Sequence, residues 1–320
     1  MTGQLIGVDV GGTKISVSAL ADGIWDGPHL FATQTSAAEA LIEEIAVAVE
    51  SVRRPDAAAV GVGVPSVIEF ATGRVRSSVN VPLRDIALRQ VLRERLRLPV
   101  FVDNDATVAA LAEAHDGERL VYRDLVMFTV GTGIGGGLVL GGRVFRGATG
   151  AAGELGHTLI GLDLKGGVPE PGAFPQPGSL ESLASGRALD RLAGVAAAAS
   201  PDSQLGRLAA SGHPVLGPEV AEAAQASDEE SRQLLALLGK RLGIGIANAI
   251  NTFDPEVVVI GGGAARAGEL LLDPARETAR RFILPGVGDQ TEIRLARYGP
   301  EAGVRGAALL ASQEIEREGM

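Results

Sequence analysis

Asp9 stands at the end of an apolar run and is followed by Val10, then Gly11-Gly12, then Thr13-Lys14. A turn without side chains lets backbone N–H groups approach phosphate oxygens closely. Asp9 is of the type that holds Mg²⁺ through water, since Mg²⁺ dehydrates reluctantly. Thr13 and Lys14 add a hydroxyl and an ammonium for a terminal phosphate. An ordinary two-glycine hairpin has the same composition, so this motif alone leaves both readings open. A second glycine cluster, Gly131-Thr132-Gly133-Ile134-Gly135-Gly136-Gly137, matches G-x-G-x-x-G. That dinucleotide fingerprint requires a helix after the turn, whereas Leu138-Val139-Leu140 reads as a strand, so a nicotinamide-binding fold is disfavoured. The Walker A pattern is absent. A third cluster, Gly261-Gly262-Gly263, ends the apolar run 257–260 and permits a flat ligand to pack on the backbone, or is simply a turn. Together, two glycine hairpins and one glycine strand end can bracket a nucleotide.

Asn104-Asp105 precedes an Ala-rich stretch, 106–114, where either residue is a good helix N-cap. Asn104 also offers an acceptor and donors suited to a hydroxyl, and the helix start favours an ionised Asp105 carboxylate. Glu154 and His157 lie three apart, so a helical turn would put them on one face; without a third ligand they make a poor zinc site. Glu181, near a helix start, can complement the macrodipole. His29, His115 and His213 have no partners at motif spacing and read as surface residues. Arg89, Arg93, Arg95 and Arg97, interleaved with Glu94, read as a solvated helix face.

These residues need elements to hold them. Residues 5–10 and 15–20 read as strands flanking the first turn. A helix follows over 37–52 with Ser36 as its N-cap, then a buried strand over 57–64, a helix over 86–98 and a short strand over 100–102. Near residue 120 the pattern restarts: a strand at 125–130, a glycine turn at 131–137, a strand at 138–140. One supersecondary unit used twice suggests a duplicated architecture. The remainder reads as a Pro/Gly loop over 161–177, a helix over 179–193, weak signals over 194–217, two helices within 219–250, a strand over 256–260 and a closing helix over 304–316.

The 320 residues suggest about two domains, and 46% hydrophobic against 21% charged residues is a core-forming balance. Glycine, 44 residues, is about twice its usual share. The formal charge of −10 argues against a nucleic-acid partner. The absence of Cys rules out disulfides, thiolate metal sites and a thiol nucleophile and fits a cytoplasmic protein. No leader is visible in the first residues, and the apolar runs fall well short of the roughly 18 residues of a membrane span.

In combination, the motifs at 9–14 (DVGGTK), 102–113 (VDNDATVAALAE), 131–142 (GTGIGGGLVLGG), 153–157 (GELGH), 179–186 (SLESLASG) and 257–263 (VVVIGGG) make the chain resemble the ROK family of repressors, open reading frames and kinases, within the actin-like ATPase superfamily. The resemblance covers nearly the whole chain. It implies a two-lobed actin-like α/β fold (ribonuclease H-like) with an interlobe cleft. The smaller lobe spans about 1–120, to which a C-terminal helix at about 301–320 returns, and the larger spans about 121–300. Kinases of the family phosphorylate hexoses or N-acetylhexosamines with ATP and Mg²⁺. Repressors carry an N-terminal helix-turn-helix, for which a motif starting at residue 9 leaves no room.

Carried over residue by residue, Asp105 is the implied catalytic base. Asn104, Asp105, Glu154, His157 and Glu181 are the implied sugar-binding residues. Asp9, Gly11, Gly12, Thr13, Lys14, Gly131, Thr132, Gly133, Gly135, Gly261 and Gly262 are the implied nucleotide-binding residues. The expected activity is an ATP-dependent hexose kinase, glucokinase-like and a homodimer. The alternatives are an N-acetylhexosamine or fructose kinase, or a non-catalytic sugar-sensing regulator. The chain departs from the family where relatives carry a Cys-rich zinc motif: Ser179 stands at the last Cys position, so no structural zinc is expected. Ser66 replaces a frequent Gly, and Arg84 a frequent Trp, at positions near the sugar in relatives.

Overall fold

The computed structural model describes residues 3–78 and 80–319. Strands β1 (Gln4–Val10), β2 (Lys14–Ala21) and β3 (Ile24–Ala32) are followed by α1 (Ala38–Val52), β4 (Ala57–Val64), β5 (Ser66–Glu69), β6 (Arg74–Ser78), α2 (Leu88–Leu96), β7 (Val100–Asn104) and α3 (Asp105–Glu113). Two-residue strands β8 (His115–Asp116) and β9 (Arg119–Leu120) lead to β10 (Leu125–Val130), β11 (Ile134–Leu140) and β12 (Arg143–Val144). Then come α4 (Leu180–Ala184), α5 (Gly186–Ala199), α6 (Gln204–Ala210), α7 (Gly217–Gln225), α8 (Glu229–Phe253), β13 (Val257–Gly261), α9 (Glu269–Phe282), β14 (Glu292–Leu295) and α10 (Ala302–Glu318).

The chain divides into two compact units. The first holds residues up to 127, 137–153 and those from 297 on; the second holds 128–136 and 154–296. In the first, the sheet has the order β3-β2-β1-β4-β7, with β1–β2 and β2–β3 antiparallel and β1–β4 and β4–β7 parallel. The parallel strands are Val-rich, and all but a few of their residues are buried, as strands covered on both faces must be. Their register sets Asp9 beside Gly63 and Gly63 beside Asp103. The carboxyl ends of three strands thus meet at one edge, where open α/β sheets bind ligands.

Helix α10 covers this sheet at very short range. A Cβ on Gly7 would collide with the Val304 carbonyl oxygen, one on Gly61 with that of Ala307, and one on Gly306 with that of Val108. That is why α10 is rich in Ala and Gly: its backbone lies directly on β1, β4 and α3. At its start Arg305 is stacked over Trp25 at 4.9 Å and Tyr298 at 5.0 Å, and it is held by Glu301 at 2.8 Å.

The second sheet has the order β12-β11-β10-β13-β14. In the second unit the long α8 packs on α9 through Gly239 and Gly243, where a Cβ would collide with or press on the carbonyls of Leu271 and Ala275. No helix among the described residues is long and apolar enough to cross a membrane.

Several elements differ from the sequence reading. Helix α1 begins after Ala37, which is extended and makes no side-chain cap, so Ser36 is not its N-cap. The helix expected over 179–193 breaks at Ser185, whose extended backbone ends α4 and whose Oγ caps α5. Strand β11 starts at Ile134, so the glycine turn is shorter than 131–137. Strands β3, β5, β6 and β14 carry no clean periodic signal, whereas helix α9 buries Leu271, Leu272, Ala275, Thr278 and Ala279 at helical spacing and is masked by the Pro inside it. Among the described residues β3 has its outer face largely exposed, and α9 contains Pro274.

Candidate active site

In the first unit, Asp9 is the next-to-last residue of β1, just before the turn. Gly11 N donates to Lys14 O at 2.9 Å, and Thr33 ties the turn to β3 through Oγ1 to Gly11 O at 2.8 Å. Gly12, Thr13 and Lys14 are exposed. Asp9 is packed against α10: a Cβ on Gly303 would stand 2.5 Å from its Cγ. Burial, with the Asp105 carboxylate adding to it and Lys14 opposing, pushes the Asp9 carboxyl up to about 7. A carboxylate short of compensating charge suits a cation.

Asp103, Asn104 and Asp105 turn the corner from β7 into α3. Asn104 is the N-cap: its Oδ1 accepts from Ala106 N at 2.9 Å and Thr107 N at 3.2 Å, and its Nδ2 donates to Ser66 O at 3.4 Å. Asp105 is the first helical residue and accepts from Ala106 N at 2.8 Å. Asp105 and Asp9 face each other past Gly63, whose Cβ position lies 3.6 Å from Asp105 Cα and 3.8 Å from Asp9 Oδ1. Burial raises the Asp105 carboxyl, against the hydrogen bonds that lower it. Desolvation therefore outweighs the helix start, which by itself would make Asp105 a weak base. The Ser66 hydroxyl is buried with no hydrogen-bond partner.

In the second unit, the turn after β10 closes with Gly131 N donating to Gly133 O at 2.9 Å. Glu181, in the first turn of α4, reaches this turn: its Oε2 accepts from Ile134 N at 2.7 Å. Ser185–Gly186 docks on the same loop, Gly186 N donating to Gly131 O at 2.7 Å. Gly262, with φ +84°, meets the end of β10: a Cβ there would stand 2.5 Å from Val130 O. Thus Gly131, Thr132, Gly133 and Glu181 come together, with Gly261 and Gly262 beside them, while Gly135 lies within β11.

Glu154 precedes and His157 ends a short 3-10 turn, Leu155–His157, with His157 Nε2 3.8 Å from Glu154 Oε2. The Phe174 ring meets the imidazole edge to face at 5.6 Å, and His157 Nδ1 is buried without a partner. Ser179, at the last Cys position of the family motif, is fully buried and caps α4 through its Oγ.

Two sequence readings are corrected. His115 is not a surface residue: it is buried, and its Nδ1 lies 2.8 Å from Leu111 O. Arg89 is not on a solvated face: its Nη2 donates to Phe70 O at 2.5 Å, and its guanidinium lies over the Phe70 ring at 5.1 Å. The sequence reading also passed over Arg146 and Asp103, which make an ion pair of 2.6 Å directly behind Asn104. Two Arg, at 143 and 146, stand among the glycines of 141–153, and nothing in their spacing singles out the one that meets the first Asp of Asp103-Asn104-Asp105.

The ROK family model matches residues 5–314. The chain is 36% identical over 325 residues to a glucokinase of Halalkalibacterium halodurans, covering 97% of this chain and 95% of that one. It is similar in structure to a ROK family glucokinase from Streptomyces griseus solved with glucose and AMPPNP, with a TM-score of 0.80, 33% identity and coverage of 97% and 100%. It is also similar to the ROK hexokinase of Thermus thermophilus, with a TM-score of 0.77, 36% identity and coverage of 98% and 99%.

Proposed function

The chain belongs to the ROK family, and on that premise we propose that it phosphorylates the 6-hydroxyl of glucose or a similar hexose, with Asp105 as general base. It is an ATP-dependent sugar kinase with the α/β fold of the ROK glucokinases. Phosphoryl transfer needs an aligned hydroxyl, an acceptor for its proton and neutralised phosphate charge.

The observation that carries the reading is the Asp103–Asp105 corner. Asp105 is held at the carboxyl edge of the parallel strands, with its proton affinity raised by burial. A base is more effective as its pKa approaches the working pH. Asn104, whose amide bridges α3 and Ser66 O, would orient a neighbouring sugar hydroxyl. Glu154, His157 and Glu181 are the further sugar contacts of the proposal. In the present conformation Glu181 spends one oxygen on the Ile134 amide, which leaves the other for a ligand.

The glycine turns at 11–14 and 131–133, with Gly261 and Gly262, are proposed to take the phosphates and the nucleoside through backbone N–H groups. Mg²⁺ fits Asp9, whose carboxyl is raised by burial and by Asp105. Among the described residues no group of three or more His, Cys, Asp or Glu side chains forms a metal cage, but Mg²⁺ is commonly held by one or two carboxylates plus phosphates and water. When bound, it would neutralise phosphate charge.

A cytoplasmic homodimer completes the proposal by likeness to the family. The test is ADP release with Mg-ATP across a panel of hexoses and N-acetylhexosamines. Turnover highest with glucose is expected; turnover highest with an N-acetylhexosamine would move the substrate assignment, and none on any sugar would reject the kinase.

A further inference from the structure

We propose that Arg146 is the positioning residue of the Asp103-Asn104-Asp105 corner, holding in place the backbone from which the base projects. The inference rests on Asp105 being that base. Asp103 is 1% exposed and uses both carboxylate oxygens. Its Oδ1 accepts from Asn104 N at 2.9 Å, and its Oδ2 from Arg146 Nε at 2.6 Å.

The guanidinium is itself fixed on two further sides. Its Nη2 donates to Glu314 Oε1 on α10 at 3.2 Å, and its plane covers the Phe70 ring at 3.4 Å from the centroid. Glu314 is in turn held by Arg317 at 3.1 Å. The segment that carries Arg146 is anchored: Ala152 N donates to Arg146 O at 3.0 Å, and Gly150, with φ +89°, lies against Ile68 O, where a Cβ would collide.

A buried ion pair is weak grounds for a stabilising role, because apolar replacements often match it. What a planar fork supplies and an apolar pair does not is orientation. The guanidinium plane fixes the Asp103 carboxylate, the carboxylate fixes the Asn104 N–H, and Asn104 caps the helix whose first residue is Asp105. A displacement of about 1 Å at a reacting group can cost about a hundredfold in rate.

The experiment compares Arg146→Lys, Arg146→Met and Asp103→Asn with Asp105→Asn, by steady-state kinetics and thermal melting. Lys keeps the charge but not the fork, so both Arg146 variants are expected to lose about ten- to a hundredfold in kcat, with KM for ATP within about twofold of the parent. Asp103→Asn, which keeps an acceptor but loses the charge partner, is expected to lose kcat similarly. Where Arg146→Met does not fold, Arg146→Lys and Asp103→Asn, which retain polar partners, decide.

Lower melting temperatures with kcat within about twofold would reduce Arg146 to a structural ion pair and overturn the inference. A KM for ATP rising in step with the loss of kcat would also overturn it, since the effect would not be confined to the corner. Asp105→Asn separates the two levels. If it retains activity, the assignment of the base fails. If it loses activity while Arg146→Lys does not, only the positioning role fails.

Discussion

Glu181 Oε2 and the Ile134 amide are joined by a 2.7 Å hydrogen bond across 47 residues of chain, tying α4 to the glycine turn. Gly133 is what leaves room for that carboxylate, since a Cβ there would collide with it. Gly133→Ala therefore forces either the turn or the carboxylate to move. The carboxylate ends a flexible side chain and can swing aside, so the cost is that of the lost hydrogen bond to a charged acceptor, about 1.5–3 kcal/mol, equivalent to about ten- to a hundredfold in kcat/KM if the site bears it. Steady-state kinetics with ATP and glucose checks this; a kcat/KM equal to that of the parent would show that the tie is dispensable.

Asp105→Asn keeps the shape of the side chain and an acceptor but removes the base. The expected loss in kcat is about 10²–10⁴, the usual contribution of a general base, with glucose affinity by calorimetry little changed. Retention of kcat within about tenfold would show that proton transfer needs no residue at 105.

His115 gives a pH-dependence with a definite sign. Burial lowers its imidazole below the ordinary value of 6.5, against the hydrogen bond to Leu111 O. As pH falls below 6.5 the unfolded chain takes up a proton that the folded chain refuses, so stability is lost there; above 6.5 both states are neutral and this contribution is flat. His115→Gln is expected to show a shallower fall in melting temperature than the parent between about pH 7 and pH 5. Equal slopes would mean that the imidazole titrates freely in the fold.

Gly306 sets two effects against each other. Alanine favours helix by about 1 kcal/mol over glycine, but a Cβ at 306 would run into the Val108 carbonyl, and overpacking costs about 1–3 kcal/mol. The collision wins, so Gly306→Ala is expected to melt a few degrees lower. Gly194, exposed on α5 with nothing near its Cβ position, is the control: Gly194→Ala is expected to be stabilising by up to about 1 kcal/mol. The same sign at both positions would show that α10 can retreat from α3.

Much of the scaffold was legible because its signals are local. The strand–turn–strand units at residues 11 and 131 stand out through glycines between apolar runs, and Asn104 announces a helix start by residue type. Elements that depend on distant contacts were not legible. Among the described residues, β3 is largely exposed and owes its strand to pairing with β2, while α9 has apolar residues at helical spacing that Pro274 masks, and its packing on α8 outweighs that proline.

The same limit applies to the site. Asn104 and Asp105 carry a helix-start signature, whereas Arg146 meets Asp103 from 43 residues away and no spacing rule joins them. His115 and Arg89 look like solvent-facing polar residues until the fold covers them. Glycines 61 and 306 are silent in a one-dimensional reading, because what they make room for is another backbone.

Trp25 is the only indole in the chain, and it lies beneath the Arg305 guanidinium where α10 begins. The intrinsic ultraviolet emission of the protein is therefore a single-site optical probe. A change in quenching on mixing with ligand would register a rearrangement at that junction in real time, with no dye attached.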